Sequence, residues 1–344
     1  MYIVMIMDIE AMDAVRELGH IENGVMFGHD GYLFLLDGGH HVFDLLLGLH
    51  KVSDISFANF ATNIARRADI CERAGAKYLH VIYPDKQSVM VDEFPVEGPF
   101  CLTDIYLEKL PEVRPHVFYL RGALRNASLP AFMRTDTHLT ESGNIVAAGA
   151  IVEQLVGQDQ SEHVNRLLAS PDWHEIDWSG DLGSRFQPPL SERRRLLRKT
   201  WPHKWFHNDL QGGNNGIVDL LFSPGAVHDR RILIYGDSFS RDLSSILSYF
   251  FREVVFLRTQ FFHPDMLHQI QPDLVITSNV ERYLSFCESD DRRASFFMFP
   301  HLGGNPYAPP KEFAEAFSAV LAYGRPPYLD FLNKNGLAER RNSA

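Results

Sequence analysis

Arg231-Ile232-Leu233-Ile234-Tyr235-Gly236-Asp237-Ser238-Phe239-Ser240 joins a short apolar run to a tight polar turn. Four to eight apolar residues bounded by a glycine read as a buried strand. From about Arg241 to Phe251 the pattern becomes helical, so the turn links a strand to a helix. A serine there sits at the edge of the sheet. Its backbone N–H opens toward the helix N-terminus, where positive partial charge stabilises a developing oxyanion. Gly236 permits a turn that a Cβ would obstruct. Asp237 or Ser238 would also serve as a simple helix cap, so the pentapeptide needs partners before it means chemistry.

Outward from this turn the same rhythm repeats. Downstream, Val254–Leu257 and Leu274–Thr277 read as strands, with helices near His263–Ile270 and Glu281–Cys287 and a last strand over Ser295–Phe299. Upstream, Tyr32–Leu36 and Tyr78–Tyr83 read as strands. Helices are predicted from about Phe57 to Ala74, closed by Gly75, and from about Glu141 to Leu155. Apolar strands alternating with helices predict an α/β fold, a three-layer sandwich around a mainly parallel sheet. Chemistry is then expected just past the carboxyl ends of strands. The stretch 158–228, with Pro171, Pro188, Pro189, Pro202 and Pro224, breaks the rhythm. It reads as an irregular insertion or excursion within a single domain spanning 1–344.

A serine hydroxyl needs an adjacent base. Arg134-Thr135-Asp136-Thr137-His138-Leu139-Thr140 holds a carboxylate and an imidazole two residues apart. In an extended segment both leave the same side, so Asp136 is placed to fix the tautomer of His138. Thr140 is a candidate N-cap for the helix that follows. His207, beside Asn208 and Asp209, is the reserve base; His40-His41 reads as a loop pair and His263 as a helix start. None of these clusters offers the converging ligands of a metal site, and no bound cofactor is expected.

Composition narrows the partners. The net charge of −11 leaves no excess of cations to neutralise phosphates, which disfavours nucleic acid. The basic run Arg193, Arg194, Arg195, Arg198 and Lys199 after Glu192 reads as a solvated helical face. Hydrophobic residues at 45% exclude a disordered chain. Cys71, Cys101 and Cys287 show no metal spacing and are expected as free thiols. The run Met1–Met7 reads as a short strand, too brief for a membrane span and without the features of a signal peptide, so a cytoplasmic location is the expectation from sequence.

With these residues in place, the chain resembles the SGNH hydrolase-like proteins of the alginate O-acetyltransferase (AlgX and AlgJ) type. The resemblance runs from about Gly31 to Leu284 through five ordered blocks. These are Gly31-Tyr32-Leu33-Phe34-Leu35, Tyr83-Pro84-Asp85-Lys86, Asp136-Thr137-His138, Gly236-Asp237-Ser238-Phe239-Ser240, and Pro272–Ile276 followed by Glu281-Arg282-Tyr283-Leu284. In this family, as here, the Asp and His precede the serine, a permuted motif order. The resemblance implies Ser238, His138 and Asp136 as a catalytic triad, an acetyl donor as co-substrate and a polysaccharide acceptor. It also implies a periplasmic or extracytoplasmic setting, against the expectation from the N-terminus. Asn279 departs from the family pattern; it is expected to donate to an oxyanion alongside Ser238, to contact a sugar, or equally to be a plain turn residue. Glu281 and Arg282 are expected to be structural. An esterase using the same triad, or a carbohydrate-binding module on the same scaffold, are the alternatives the residues leave open.

Overall fold

The computed structural model describes residues 18–46, 49–96, 101–210, 215–302 and 307–338; the strand expected over Met1–Met7 lies outside them. Seven strands form the central sheet: β4 (Lys77–Tyr83), β5 (Val117–Tyr119), β8 (Lys204–His207), β9 (Val218–Phe222), β10 (His228–Gly236), β11 (Phe251–Arg258) and β12 (Leu274–Val280). Their order is β5-β4-β12-β10-β11-β9-β8. The first five run parallel, whereas β9 is antiparallel to β11 and β8 antiparallel to β9.

Both faces are covered, which is why these strands read as continuous apolar runs. On one face lie α2 (Glu141–Val156) and α3 (Ser238–Phe250), packed with Ile145, Ile151, Leu243 and Leu247 onto Val81, Ile232, Ile234 and Phe256. The other face carries α1 (Asp54–Arg73), α4 (Pro264–Ile270), α5 (Lys311–Leu321) and α6 (Pro326–Lys334), with Phe60, Ile64, Met266 and Phe331 against Ile82, Leu233, Val255 and Leu220. The expected three-layer sandwich is therefore present. Thr140 caps α2 by accepting from the Gly143 N–H, as its position suggested. Among the described residues no helix is long and apolar enough to cross a membrane.

Several local expectations change. Tyr32–Leu36 does form a strand, β3 (Leu33–Leu35), but it joins β1 (Ile21–Glu22) and β2 (Val25–Phe27) in a small antiparallel sheet outside the central one. The basic run is no helix. Glu192–Leu197 is strand β7, paired with β6 (Trp173–Trp178), and Arg194 and Arg195 lie over the Trp178 and Trp173 rings at 4.6 and 4.7 Å. Consecutive arginines leave opposite faces of the strand, and each finds a tryptophan ring across the hairpin, a pairing that a charge count does not register. The segment Ser295–Phe299 is not a strand either: Phe296–Met298 forms a 3-10 turn leading into a short helix, Phe299–Leu302. Glu281–Ser285 is likewise a 3-10 turn. The proline-rich stretch supplies the β6–β7 hairpin and the strands β8 and β9 that extend the central sheet.

One buried ion pair ties β10 to β11. The Arg231 guanidinium donates to Glu253 at 2.7 Å and to the Ile270 carbonyl at 2.6 Å, and its Cζ lies 3.8 Å from the Tyr323 ring centroid. Removing one partner of such a pair strands the other charge. Arg231→Ala is therefore expected to lower unfolding stability by about 3–5 kcal/mol, read from the midpoint of urea denaturation. A loss below about 1 kcal/mol would show that Glu253 finds water instead.

Candidate active site

The site grows from the carboxyl end of β10. Gly236 closes the strand, and a Cβ there would stand 2.4 Å from Ser278 Oγ and 2.8 Å from Ser240 Cβ. Only glycine lets the turn approach β12 so closely. Asp237 caps α3, accepting from the Phe239 N–H at 3.1 Å, and its second oxygen accepts from the Val280 N–H at 2.7 Å. Burial pushes the Asp237 carboxyl above its ordinary value, opposed by the Val280 hydrogen bond and the Arg282 charge. The turn is thus pinned at both ends, and Ser238 is the first residue of the helix.

The partners come from a loop more than ninety residues upstream. The expected extended segment is instead a loop closed by a bridge between Phe132 and Leu139. Carboxylates organise its backbone. Glu192 accepts from the Arg134 and Thr135 N–H groups at 3.0 and 2.8 Å, and Asp181 from the Thr137 N–H at 2.7 Å. Asp136 Oδ1 accepts from the His138 N–H at 3.0 Å, the local side-chain-to-backbone bond that short polar residues favour over regular structure. Gly180 makes room: a Cβ there would meet Asp136 Cβ at 2.4 Å. Lys86 spans the loop and the small sheet, donating to the Arg134 carbonyl at 3.2 Å and the Leu33 carbonyl at 2.8 Å. Burial draws its ammonium down to about 8.

The loop presents an imidazole to the turn. His138 Nδ1 lies 2.7 Å from Asp136 Oδ1, and His138 Nε2 lies 2.8 Å from Ser238 Oγ. Asp136 Oδ2 accepts from Trp178 Nε1 and from the Asp181 N–H, both at 3.3 Å. Burial raises the Asp136 carboxyl, but the His138 hydrogen bond and charge overcome it and hold it well below the usual carboxylate range. For His138, burial alone would lower the pKa. The Asp136 hydrogen bond and the charges of Asp242, Asp136 and Asp181 outweigh it, so the imidazole titrates above its ordinary 6.5. A histidine held in this way has the geometry to accept a proton from a neighbouring hydroxyl and to hold it while charge develops.

The other sequence candidates lie elsewhere. His207 pairs with Asp209 at 2.5 Å, His40 stacks on Tyr283, and His263 precedes α4 with Nε2 3.4 Å from Thr259 Oγ1. The Asn279 amide donates to the Val280 carbonyl at 2.9 Å, and the residue lines a small cavity with Phe60, Arg67 and His80 on the α1 face. Glu281 accepts from the Thr103 N–H at 3.0 Å and from Tyr119 Oη at 2.8 Å, while Arg282 pairs with Asp85 at 2.5 Å. Each binds a different partner, and together they fasten the end of β12 to the end of β4.

Sequence reasoning missed Asp181, Glu192, Trp178 and Asp242. The first three reach the loop from 42 to 58 positions away, a separation no local pattern encodes. Asp136, His138 and Asp181 each offer a ligand atom within 4.8 Å of the others, a reach the spacing alone did not suggest. Those atoms are already committed, Asp136 to His138, His138 to Ser238 and Asp181 to Thr137.

The elevated His138 value has a direct test. Asp242→Asn removes the largest of the charges that raise it. An NMR titration of the His138 ring is expected to show its midpoint moving down toward 6.5 in the variant. An unmoved midpoint would assign the elevation to Asp136 and Asp181 alone.

Comparison with known proteins places these features in context. The family model for the SGNH hydrolase-like domain of the acetyltransferase AlgX matches residues 25–259. A DHHW family protein from Eubacterium siraeum is 12% identical, with 78% of this chain and 94% of that one covered at a TM-score of 0.54. PatB1 of Bacillus cereus, solved with a sulfonyl adduct, is 10% identical over 77% of this chain and 97% of its own, also at 0.54. At such identities the likeness is one of fold. No curated protein matches the sequence.

Proposed function

Because the chain belongs to the SGNH hydrolase-like acetyltransferase family of the AlgX type, we propose that it is a polysaccharide O-acetyltransferase working through an acetyl-serine on Ser238. The observation that carries this reading is the unbroken relay from Asp136 through His138 to Ser238 at 2.7 and 2.8 Å.

In the first half-reaction Ser238 Oγ attacks the carbonyl carbon of an acetyl donor while His138 Nε2 takes the hydroxyl proton. Asp136 keeps the Nδ1–H in place and stabilises the imidazolium without accepting its proton. The Ser238 N–H, first in α3 and free of the Asp237 cap, faces the oxyanion with the helix dipole behind it. Collapse of the tetrahedral intermediate expels the donor's leaving group, which collects the proton from His138. In the second half-reaction His138 draws the proton from a sugar hydroxyl. That oxygen attacks the acetyl-serine, and Ser238 leaves with the proton returned. This scheme assigns no step to Asn279, whose amide donates one hydrogen to the Val280 carbonyl.

His138 must be neutral to act as base. Its pKa is raised, so activity is expected to rise with pH along a limb above 6.5, and to fall as acid protonates the ring. Ser238→Ala is expected to cost roughly 10⁴- to 10⁶-fold in acetyl transfer, as in other triads that act as a unit. Mass spectrometry of quenched wild-type enzyme should find acetyl on the peptide carrying Ser238. Near-normal transfer by the alanine variant would end the proposal. Acetate release outpacing transfer at saturating glycan would turn it into a hydrolase.

A further inference from the structure

Trp201, His203, Trp205 and His207 occupy alternate positions along and just before the edge strand β8. Trp205 and His207 lie within the strand and so share one face, at ~3.3 Å rise per residue, while Trp201, before it, packs against the same core layer as Leu221. The register fixes which face. His207 stands opposite Asp219 and Trp205 opposite Leu221, and Leu221 packs into the core beneath α2 and α3. The stripe therefore lies on the same side of the sheet as the helix that begins at Ser238. Because β8 runs parallel to β11, its His207 end points toward the edge where Ser238 sits.

Each of these rings has an in-plane nitrogen bound by the protein. Trp201 Nε1 donates to Ser248 Oγ at 3.0 Å and Trp205 Nε1 to Asp219 Oδ1 at 3.1 Å. His203 Nδ1 lies 2.9 Å from the Trp201 carbonyl, and His207 Nδ1 lies 2.5 Å from Asp209. The rings pair along the stripe at centroid separations of 5.9 Å for Trp201–His203 and 5.1 Å for Trp205–His207. Trp205 is nevertheless 55% exposed. A large ring held by its edge with its face in water invites a flat apolar ligand that keeps polar groups at its rim. A sugar ring has that form, its C–H groups on the faces and its hydroxyls around the edge.

The stripe is also coupled to the nucleophile helix. Arg241, in the first turn of α3, donates to both oxygens of buried Asp219 at 2.6 and 3.2 Å, and Asp219 in turn holds Trp205. A rigid link of two side chains thus joins the turn carrying Ser238 to the most exposed ring.

Resting on the acetyltransferase reading, we propose that this aromatic stripe, with Trp205 at its centre, is an acceptor subsite that stacks the sugar rings of a glycan chain several residues away from the one acetylated. Short acceptors fall outside its reach, and long ones gain affinity from it.

The test uses p-nitrophenyl acetate as donor, with hexamers and dimers of β-linked glucose, β-linked glucosamine and α-linked galacturonate as acceptors. A nitrophenol burst from wild type reports formation of the acetyl-serine; its absence would strike the catalytic reading, independently of the stripe. With the burst present, the hexamer of at least one series is expected to show a KM about tenfold below that of its dimer. Trp205→Ala should raise the hexamer KM by about tenfold, erasing the length preference with kcat kept within about twofold. Trp205→Phe should restore most of that preference, since a ring face remains, and it guards against a variant that fails to fold. Equal KM values for hexamer and dimer in wild type would overturn the subsite. So would an unchanged hexamer KM in the alanine variant, or a fall confined to kcat.

Discussion

The candidate site depends on one imidazole shared between two carriers far apart in the chain. His138 rides on a loop shaped by carboxylates, and Ser238 on a turn pinned between β10 and β12. The turn is fixed to the sheet between β10 and β12, whereas the loop is held by Glu192, Asp181 and Lys86, so the 2.8 Å contact joins two separately anchored segments. This explains why so many polar side chains near the site are engaged with backbone. Lys86, Glu192, Asp181, Asp237 and Glu281 all spend their charge on N–H or C=O groups of neighbouring segments.

Much of the architecture was legible in the sequence because its signals are local. The runs over Tyr78–Tyr83, Arg231–Tyr235, Val254–Leu257 and Leu274–Thr277 are strands of the central sheet, and Thr140 caps the helix it precedes. The illegible parts depend on distance. Tyr32–Leu36 had the composition of a central strand but joins an antiparallel sheet whose partners, β1 and β2, are too short to announce themselves. The arginines from 193 to 195 looked like a helical surface, because the carboxylates and tryptophans of β6 that order them lie about twenty residues upstream. At the site, the Asp-Thr-His spacing was visible, whereas the geometry behind it was misread. Asp136 bends the chain back onto the His138 N–H, so the two side chains meet by a turn and not by the alternation of an extended strand.

Electrostatics at the site are layered. Asp136 touches the ring, Asp181 stands 4.0 Å from its Nδ1, and Asp242 adds a further negative field from α3. Opposing them, Arg194 lies over Trp178, whose indole donates to Asp136. A cation, a π-face and a carboxylate thus stand in series behind the base. Such a series holds the Asp136 charge in a fixed orientation, so that little reorganisation is needed when the imidazolium forms.

The β6–β7 hairpin extends this arrangement beyond chemistry. Its Glu192 is the only described side chain that clamps both Arg134 and Thr135, and it begins the strand whose next residues lean on tryptophans across the hairpin. The part of the sequence that looks most like an ornament on the scaffold is therefore a mould for the loop that carries His138. A chain trimmed of that hairpin would keep Ser238 and its sheet, yet release the segment that brings the imidazole to it.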